Sequence, residues 1–392
     1  MNTSGNKLIS SIRDLDLFGK KLFLRLDLNV PLSDPDAEGH RAVTEDTRIQ
    51  EALPTIKYAI AKGAKVILAS HLGRPDGSKK AEFSLEPVGA HLAKLLDCEI
   101  TLADDCIGEG IELLAQSLKN GQVLLLENLR FHAGEEKNDP EFYKKLAHFT
   151  DIYVTDAFGT AHRKHASTYG LPTTIAEKAM GFLIEKELKF FDQLLEKPES
   201  PFFAILGGAK VSDKIKVIDR LLNNLDGVVI GGAMAWAFWE ALGKTLPEGA
   251  KKPETKDIEI AKILFQKTKK LDLPLLLPDD TNKGFDIGPQ SIEKFISFLT
   301  KAKTIFWNGP LGQFEKPEFS ISTFSVAKAI AEYPAIKVVG GGDTVSAIKQ
   351  SGVASKFQHL STGGGAVLEY LEGHGLPGIE ILKTYPNKKA LV

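Results

Sequence analysis

Short apolar runs alternate with longer amphipathic stretches along most of the chain. In the first half, residues 21–30, 65–70, 123–127 and 152–155 have the length and character of strands buried on both faces. Residues 47–62, 87–96, 111–118 and 140–149 carry helical spacing between them. The second half repeats the scheme, with strands expected at 202–206, 228–230, 275–277, 304–307 and 337–339. Strand, helix, strand in succession predicts parallel sheets covered by helices on both faces. Residues 181–197 read as one helix, with Ile184, Leu188, Phe191 and Leu195 on one stripe and Pro198 and Pro201 ending it. A single helix of this kind is the natural connector between two α/β domains, and 392 residues are too many for one ordinary core.

Composition narrows the class. A charged fraction of 26% and a hydrophobic fraction of 43% are those of a soluble globular protein. A net charge of −2 argues against a non-specific nucleic-acid binder. With only Cys98 and Cys106 there is no disulfide framework, and a reducing compartment is expected. The first residues lack the apolar stretch of a signal peptide. The most apolar segment, 228–239, stops at Glu240, far short of a membrane span. A cytoplasmic protein with no membrane segment is the expectation.

In open parallel sheets ligands bind beyond the carboxyl ends of the strands, and there the two halves differ. First-half strands run into Arg25-Leu26-Asp27-Leu28-Asn29, His71-Leu72-Gly73-Arg74, Glu127-Asn128-Leu129-Arg130 and Asp156 through Arg163. One arginine is usually a surface salt-bridge partner. Their recurrence at the same topological position points to a cationic pocket suited to phosphate and carboxylate. Second-half strands end in glycine: Gly207-Gly208, Gly231-Gly232 and Gly340-Gly341-Gly342. Such loops let backbone N–H groups approach a nucleotide's phosphates, with Lys210 and Lys214 close by, although helix–sheet packing also favours small residues. Asp343 behind the glycines either caps the following helix or ligates Mg²⁺ held between it and the phosphates. Other patterns fail. Gly373 to Gly378 has dinucleotide-fingerprint spacing, but no strand precedes it. His162 and His165 lack a third ligand nearby, and Cys98 and Cys106 have no metal-site spacing.

Taken together, the blocks 25–31, 71–75, 127–132, 156–163, 207–214, 307–310, 340–344 and 361–366 closely resemble the phosphoglycerate kinase family, in its order and from about Ser11 onward. The resemblance implies two Rossmann-like, three-layer α/β domains with mostly parallel sheets, joined by a helix. Residues 1–178 plus 376–392 would form a phosphoglycerate-binding domain and 179–375 a nucleotide-binding one. It implies phosphoryl transfer between 1,3-bisphosphoglycerate and MgADP, giving 3-phosphoglycerate and MgATP. It further implies that Asp27, Leu28, Asn29, Arg48, His71, Leu72, Gly73, Arg74, Arg130 and Arg163 hold the phosphoglycerate. Lys210, Lys214, Gly284, Asn308, Glu315, Gly341, Gly342, Asp343 and Thr344 would hold the nucleotide, with Asp343 on the metal. Glu315 would bind the ribose and Gly284 would lie at the adenine. A hinge-bending monomer with small-molecule substrates and no nucleic-acid partner is expected.

The pattern departs from the family in places. Loop 32–46 is longer than usual, so Arg48 is assigned from its Asp46-Thr47-Arg48-Ile49 context and Arg41 is its rival. Gly231-Gly232-Ala233 has alanine where a third glycine is common. A substrate carboxylate is already ionised at neutral pH, so no general base is needed and cations must do the work. Arg48 and Lys210 are the residues expected to act on the moving phosphoryl group. A nicotinamide-dependent dehydrogenase would want an early glycine fingerprint that the chain lacks. A non-catalytic sensor would tolerate loss of Lys210, Asp343 or Arg48, and all three are present.

Overall fold

The computed structural model describes residues 9–383. The chain divides into two compact units. One runs up to Lys186 and takes the chain in again from Gly375 onward; the other is Glu187–His374. Residues 384–392, assigned on sequence to the first domain, lie outside the described residues.

The first unit is built on six parallel strands: β1 (Lys21–Arg25), β2 (Lys65–Ala69), β3 (Ile100–Leu102), β4 (Val123–Leu125), β5 (Ile152–Thr155) and β6 (Glu177–Met180), in the order β3-β4-β2-β1-β5-β6. Leu22 and Leu24 of β1 enter one apolar cluster and Phe23 the other, as Val66 and Leu68 of β2 do against Ile67. Period-2 alternation thus fills both faces, which is why these strands read as continuous apolar runs. The second unit repeats the plan with β7 (Phe202–Leu206), β8 (Gly227–Ile230), β9 (Leu275–Leu276), a small antiparallel pair β10 (Thr281–Asn282) and β11 (Asp286–Ile287), then β12 (Thr304–Asn308), β13 (Ile336–Gly340) and β14 (His359–Leu360). Its main sheet has the order β14-β13-β12-β7-β8-β9. In each sheet the first strand of the unit lies inside, with later strands added on both sides. The strand order therefore reverses at β1 and at β7, and the loops beyond those strands open the crevice where such sheets bind ligands.

The connecting helix spans Phe182–Glu196, and the boundary between the units falls within it. Its buried stripe is Leu183, Ile184, Phe191 and Leu194, and it includes Glu187 at 0% exposure. Leu188 and Leu195, expected there, are only partly buried, because a charged residue holds the central place. Glu187 is satisfied by His359 at 2.6 Å and by the Ser361 hydroxyl at 2.9 Å.

At the start of this helix, Asp156 follows β5 and is fully buried. Its carboxylate accepts from the Thr55 hydroxyl at 2.5 Å and from the Ile184 amide at 3.0 Å. The chain enters so closely that a Cβ on Gly181 would lie 2.4 Å from Asp156 Cγ. Burial pushes the Asp156 carboxyl up to about 7, against the lowering effect of those hydrogen bonds. Protonation therefore favours the folded state. The stability this group contributes is fully present below its ordinary value of 3.8 and is lost as the pH rises to about 7. In urea titrations, Asp156→Asn should flatten that fall across this window. An unchanged pH slope would show that the carboxyl is ionised in the fold.

Candidate active site

Beyond β1 the chain stays extended, and burial alternates: Leu26, Leu28 and Val30 turn inward while Asp27 and Asn29 share the more open side. Helix Thr47–Ala61 brings Arg48 in its first turn onto that side. Arg48 Nη1 lies 3.2 Å from Asp27 Oδ1 and donates to the Asn29 carbonyl at 2.8 Å. Arg41 instead donates to the Ser33 carbonyl at 3.1 Å and closes its own loop. After β2, the Gly73 amide donates to Asn29 Oδ1 at 2.9 Å, and the Gly73 carbonyl accepts from Arg130 Nη1 at 2.8 Å. Arg130 follows β4 and also pairs with Glu136 at 3.1 Å. The loops after three adjacent strands are thereby tied into one rim, with Leu28 and Leu72 buried beneath it.

His71 lies at the centre of this rim. It is buried, and its imidazole is held well below its ordinary pKa, first by burial and then by the charges of Arg25, Arg130, Arg48 and Arg163. Four guanidinium groups thus bear on one neutral ring. Burial and Arg130, Arg25 and Arg163 likewise push His165 down to about 3. Arg163 Nε donates to His162 Nε2 at 3.2 Å, and Arg74 stands exposed at the edge. So much like charge in one place suits a polyanion.

The sequence counts Arg25 among the strand-end arginines but does not reveal what holds it beneath this cluster. Arg25 is 1% exposed; its Nε donates to the Ser167 hydroxyl at 2.8 Å, and its Nη2 lies 3.4 Å from His71 Nδ1. With Nδ1 accepting, the His71 proton belongs on Nε2. Ser167 in turn donates from its hydroxyl to Glu135 at 2.6 Å and from its amide at 2.9 Å. Glu135 is fully buried, and its carboxyl is raised by burial against the pull of Arg25. Glu135 and Ser167 lie outside the strand-end blocks, so no local signal marked them.

In the second unit the glycines divide into two kinds. A Cβ on Gly207 would lie 2.1 Å from the Pro310 carbonyl, one on Gly309 2.2 Å from the Gly207 carbonyl, and one on Gly232 2.6 Å from the Gly208 amide. These three are required because the loops after β7, β8 and β12 stack backbone on backbone. Around Gly342, Gly364 and Gly365, by contrast, a Cβ would meet nothing within 4 Å. Gly342 opens helix Gly342–Gln350 behind β13, with Gly341 as its cap at φ +93°. The start of this helix therefore has open space beside Gly342, as an anion site at a helix N-terminus requires.

Lys214, Asn308 and Asp343 gather at this helix start. The Lys214 ammonium donates to Asn308 Oδ1, and Asn308 Nδ2 donates to the Gly340 carbonyl at 2.8 Å. Burial pushes Lys214 down to about 8, with Asp213 and Asp343 acting the other way. Thr344 is buried, and its hydroxyl accepts from the Gly309 amide at 2.7 Å, locking the loops after β12 and β13 together. Since Gly341 holds the cap position, Asp343 lies within the helix's first turn. Lys210 is exposed and donates to Glu254 at 2.6 Å, and that bond raises its pKa.

Gly284 and Glu315 belong to a second group of loops. The Gly284 carbonyl accepts from Trp236 Nε1 at 3.1 Å. The hairpin holding it meets the loop of Glu315 through Gln313 N to Phe285 O at 2.9 Å, Asn282 Nδ2 to Glu318 O at 2.9 Å, and Lys316 over the Phe285 ring at 5.8 Å. Glu315 is exposed there. Residues distant in sequence are so made neighbours.

A model of the family described as phosphoglycerate kinase matches residues 12–284 and 277–374 of the chain. A phosphoglycerate kinase of Acidobacterium capsulatum is 49% identical over 403 residues, covering 95% of this chain and 98% of that protein. A chloroplastic phosphoglycerate kinase of Volvox carteri is 46% identical, covering 96% and 86%. The solved structure of phosphoglycerate kinase from Coxiella burnetii is similar throughout, with a TM-score of 0.84 at 36% identity, covering 96% of this chain and 99% of that one.

Proposed function

Because the chain belongs to the phosphoglycerate kinase family, we propose that the arginine rim of the first unit holds the phosphoglycerate and the glycine-opened helix start of the second holds the nucleotide phosphates. The activity is the family's: reversible phosphoryl transfer between ATP and the carboxyl group of 3-phosphoglycerate, a step of glycolysis. The observation that carries the site assignment is the convergence of Arg25, Arg48, Arg130 and Arg163 on the buried, neutral His71. Of these, Arg48, Arg130 and Arg163 bind the substrate, with Asp27, Leu28, Asn29, His71, Leu72, Gly73 and Arg74. Arg25 props the ring from behind. A coupled assay of ATP formation from 1,3-bisphosphoglycerate and MgADP tests the activity, and charge-removing variants of this rim should fail in it.

The nucleotide side would use Lys210, Lys214, Asn308, Gly341, Gly342, Asp343 and Thr344 for the phosphates, and Gly284 and Glu315 for the nucleoside. Asp343 fits a Mg²⁺ role. It is a hard oxygen donor whose charge reaches Lys214, beside a helix start open to phosphate, and one carboxylate plus phosphate oxygens is how Mg²⁺ is usually held. When bound, the ion neutralises charge that builds on the phosphate oxygens. The attacking carboxylate needs no base, so this chain's own contribution is to orient it and to offset the charge of the transferred group with the cations Arg48 and Lys210 and with backbone amides. We also infer a monomer working in the cytoplasm, from the two unpaired cysteines and small-molecule substrates; light scattering and cell fractionation test both. Among the described residues no helix is long and apolar enough to cross a membrane.

Asp343→Ala should weaken MgATP by far more than metal-free ATP in calorimetric titrations with and without Mg²⁺. Equal losses in both would leave Asp343 as a helix-dipole residue only.

A further inference from the structure

No second cysteine or histidine stands near Cys106 in the sequence at a metal-site interval, but the fold brings other donors to it. β3 and β4 are adjacent and parallel, so the loops beyond their carboxyl ends run side by side. The first carries Asp105 and Cys106, and the second carries His132. The Glu127 amide donates to the Asp105 carbonyl at 3.3 Å and Lys79 donates to the Asp104 carbonyl at 2.8 Å, which anchors the first loop. His132 Nε2 lies 2.6 Å from Asp105 Oδ1, and the Cys106 amide donates to that same oxygen at 2.6 Å. The His132 ring is stacked on Phe142 with centroids 5.3 Å apart, which fixes its plane. The carboxylate oxygen, the imidazole nitrogen and Cys106 Sγ all lie within 4.8 Å of one another.

We propose that Asp105, Cys106 and His132 form a binding site for a borderline divalent transition ion, Zn²⁺ foremost, separate from the phosphoryl-transfer residues. An oxygen, a nitrogen and a sulfur donor are the set such ions take, and hard Mg²⁺ or Ca²⁺ would not choose a thiolate. Metal–ligand bonds of about 2.0–2.3 Å ask the three donors to lie within roughly 4 Å of each other, a small adjustment from the present spacing. Cys106 is fully buried, whereas Asp105 and His132 keep 47% and 30% of their side chains exposed. The site therefore has an apolar wall behind the sulfur and an open side, through which the ion enters and where water completes its coordination. On binding, the Cys106 thiol gives its proton to solvent and the thiolate joins the carboxylate and the neutral imidazole. A +2 ion with two anionic ligands sums to a neutral site, which suits the buried position of the sulfur. The alternative is a hydrogen-bonded Asp–His pair beside an inert core thiol.

The full chain, stripped of metal, would be titrated with Co²⁺ as the spectroscopic probe. One equivalent should produce a near-ultraviolet thiolate-to-cobalt charge-transfer band, and equimolar Zn²⁺ should erase it. Cys106→Ser should abolish the band. His132→Gln should weaken the affinity on the order of tenfold or more, since even outer-shell partners of a metal are worth that much. Cys98→Ser should leave it intact. If Cys106→Ser fails to fold, His132→Gln, altered at a partly exposed side chain and checked by circular dichroism, decides alone. Absence of the band, its survival in Cys106→Ser, unchanged affinity in His132→Gln, or its loss in Cys98→Ser would each overturn the proposal.

Discussion

Arg48→Ala should lower turnover by roughly 10³-fold or more at saturating substrates, the scale on which an arginine acts in phosphoryl transfer, whereas Arg41→Ala should stay near normal. Arg41 lies within the long loop 32–46, whose register the sequence leaves open, and Arg48 just beyond its end, but their surroundings differ. Arg48 leaves the first turn of a helix and meets Asp27 and the Asn29 carbonyl beyond β1. Arg41 is spent on the Ser33 carbonyl within the loop. Arg48→Lys adds a second test. A lysine keeps the charge but loses the planar fork that contacts two oxygens at once, so its activity should fall between wild type and alanine. Removing Arg48 also leaves Asp27 without its partner, so melting curves must show that the fold survives. Severe loss in Arg41→Ala with normal activity in Arg48→Ala would place the extra loop residues after Arg41 and move the assignment there.

Much of the architecture was legible because burial on both faces leaves a strong mark. Every residue of β1 after Lys21, of β2 after Lys65 and of β7 is buried, and such runs are hard to mistake. β3, β6 and β14 were missed for a common reason. Ile100–Leu102 and His359–Leu360 are too short to show a period, and in Glu177–Met180 only Ala179 is fully buried. These are outer strands, fixed by pairing with a neighbour already in place more than by their own pattern. The site divides in the same way. Strand-end arginines and glycines could be found because topology assigns those positions a role. Glu135 and Ser167, which hold Arg25, and Glu187, which hides in a helix stripe, depend on partners that no local pattern names. The two kinds of glycine cannot be separated on sequence at all. Gly207 and Gly342 look alike there, yet one is packed against a carbonyl and the other faces open space.

Lys210→Ala should lower kcat by about 10²–10³, as loss of one donor aimed at developing charge does, with a much smaller effect on KM. The structure gives Lys210 a partner that looks at first like a competing role, since its ammonium donates to Glu254 at 2.6 Å. Both side chains are well exposed, at 46% and 62%, and an ion pair in water at such sites is weak. A polyphosphate chain carrying several negative charges would displace one carboxylate from the same ammonium. Lys214 does not duplicate this role, because it sits half-buried against Asn308 at the helix start, where it is assigned to the nucleotide phosphates. Glu254→Gln separates the two roles. If Lys210 serves the fold through Glu254, breaking the pair from either end should cost stability alike and leave turnover alone. If Lys210 serves the reaction, Glu254→Gln should turn over at close to the normal rate, because it frees the lysine, and Lys210→Ala alone should be slow. An interaction formed only in the transition state lowers kcat and kcat/KM together, so both constants must be measured with each substrate saturating in turn. Nearly full turnover in Lys210→Ala would make the lysine a surface salt-bridge residue and leave Arg48 and the backbone amides to carry the transfer.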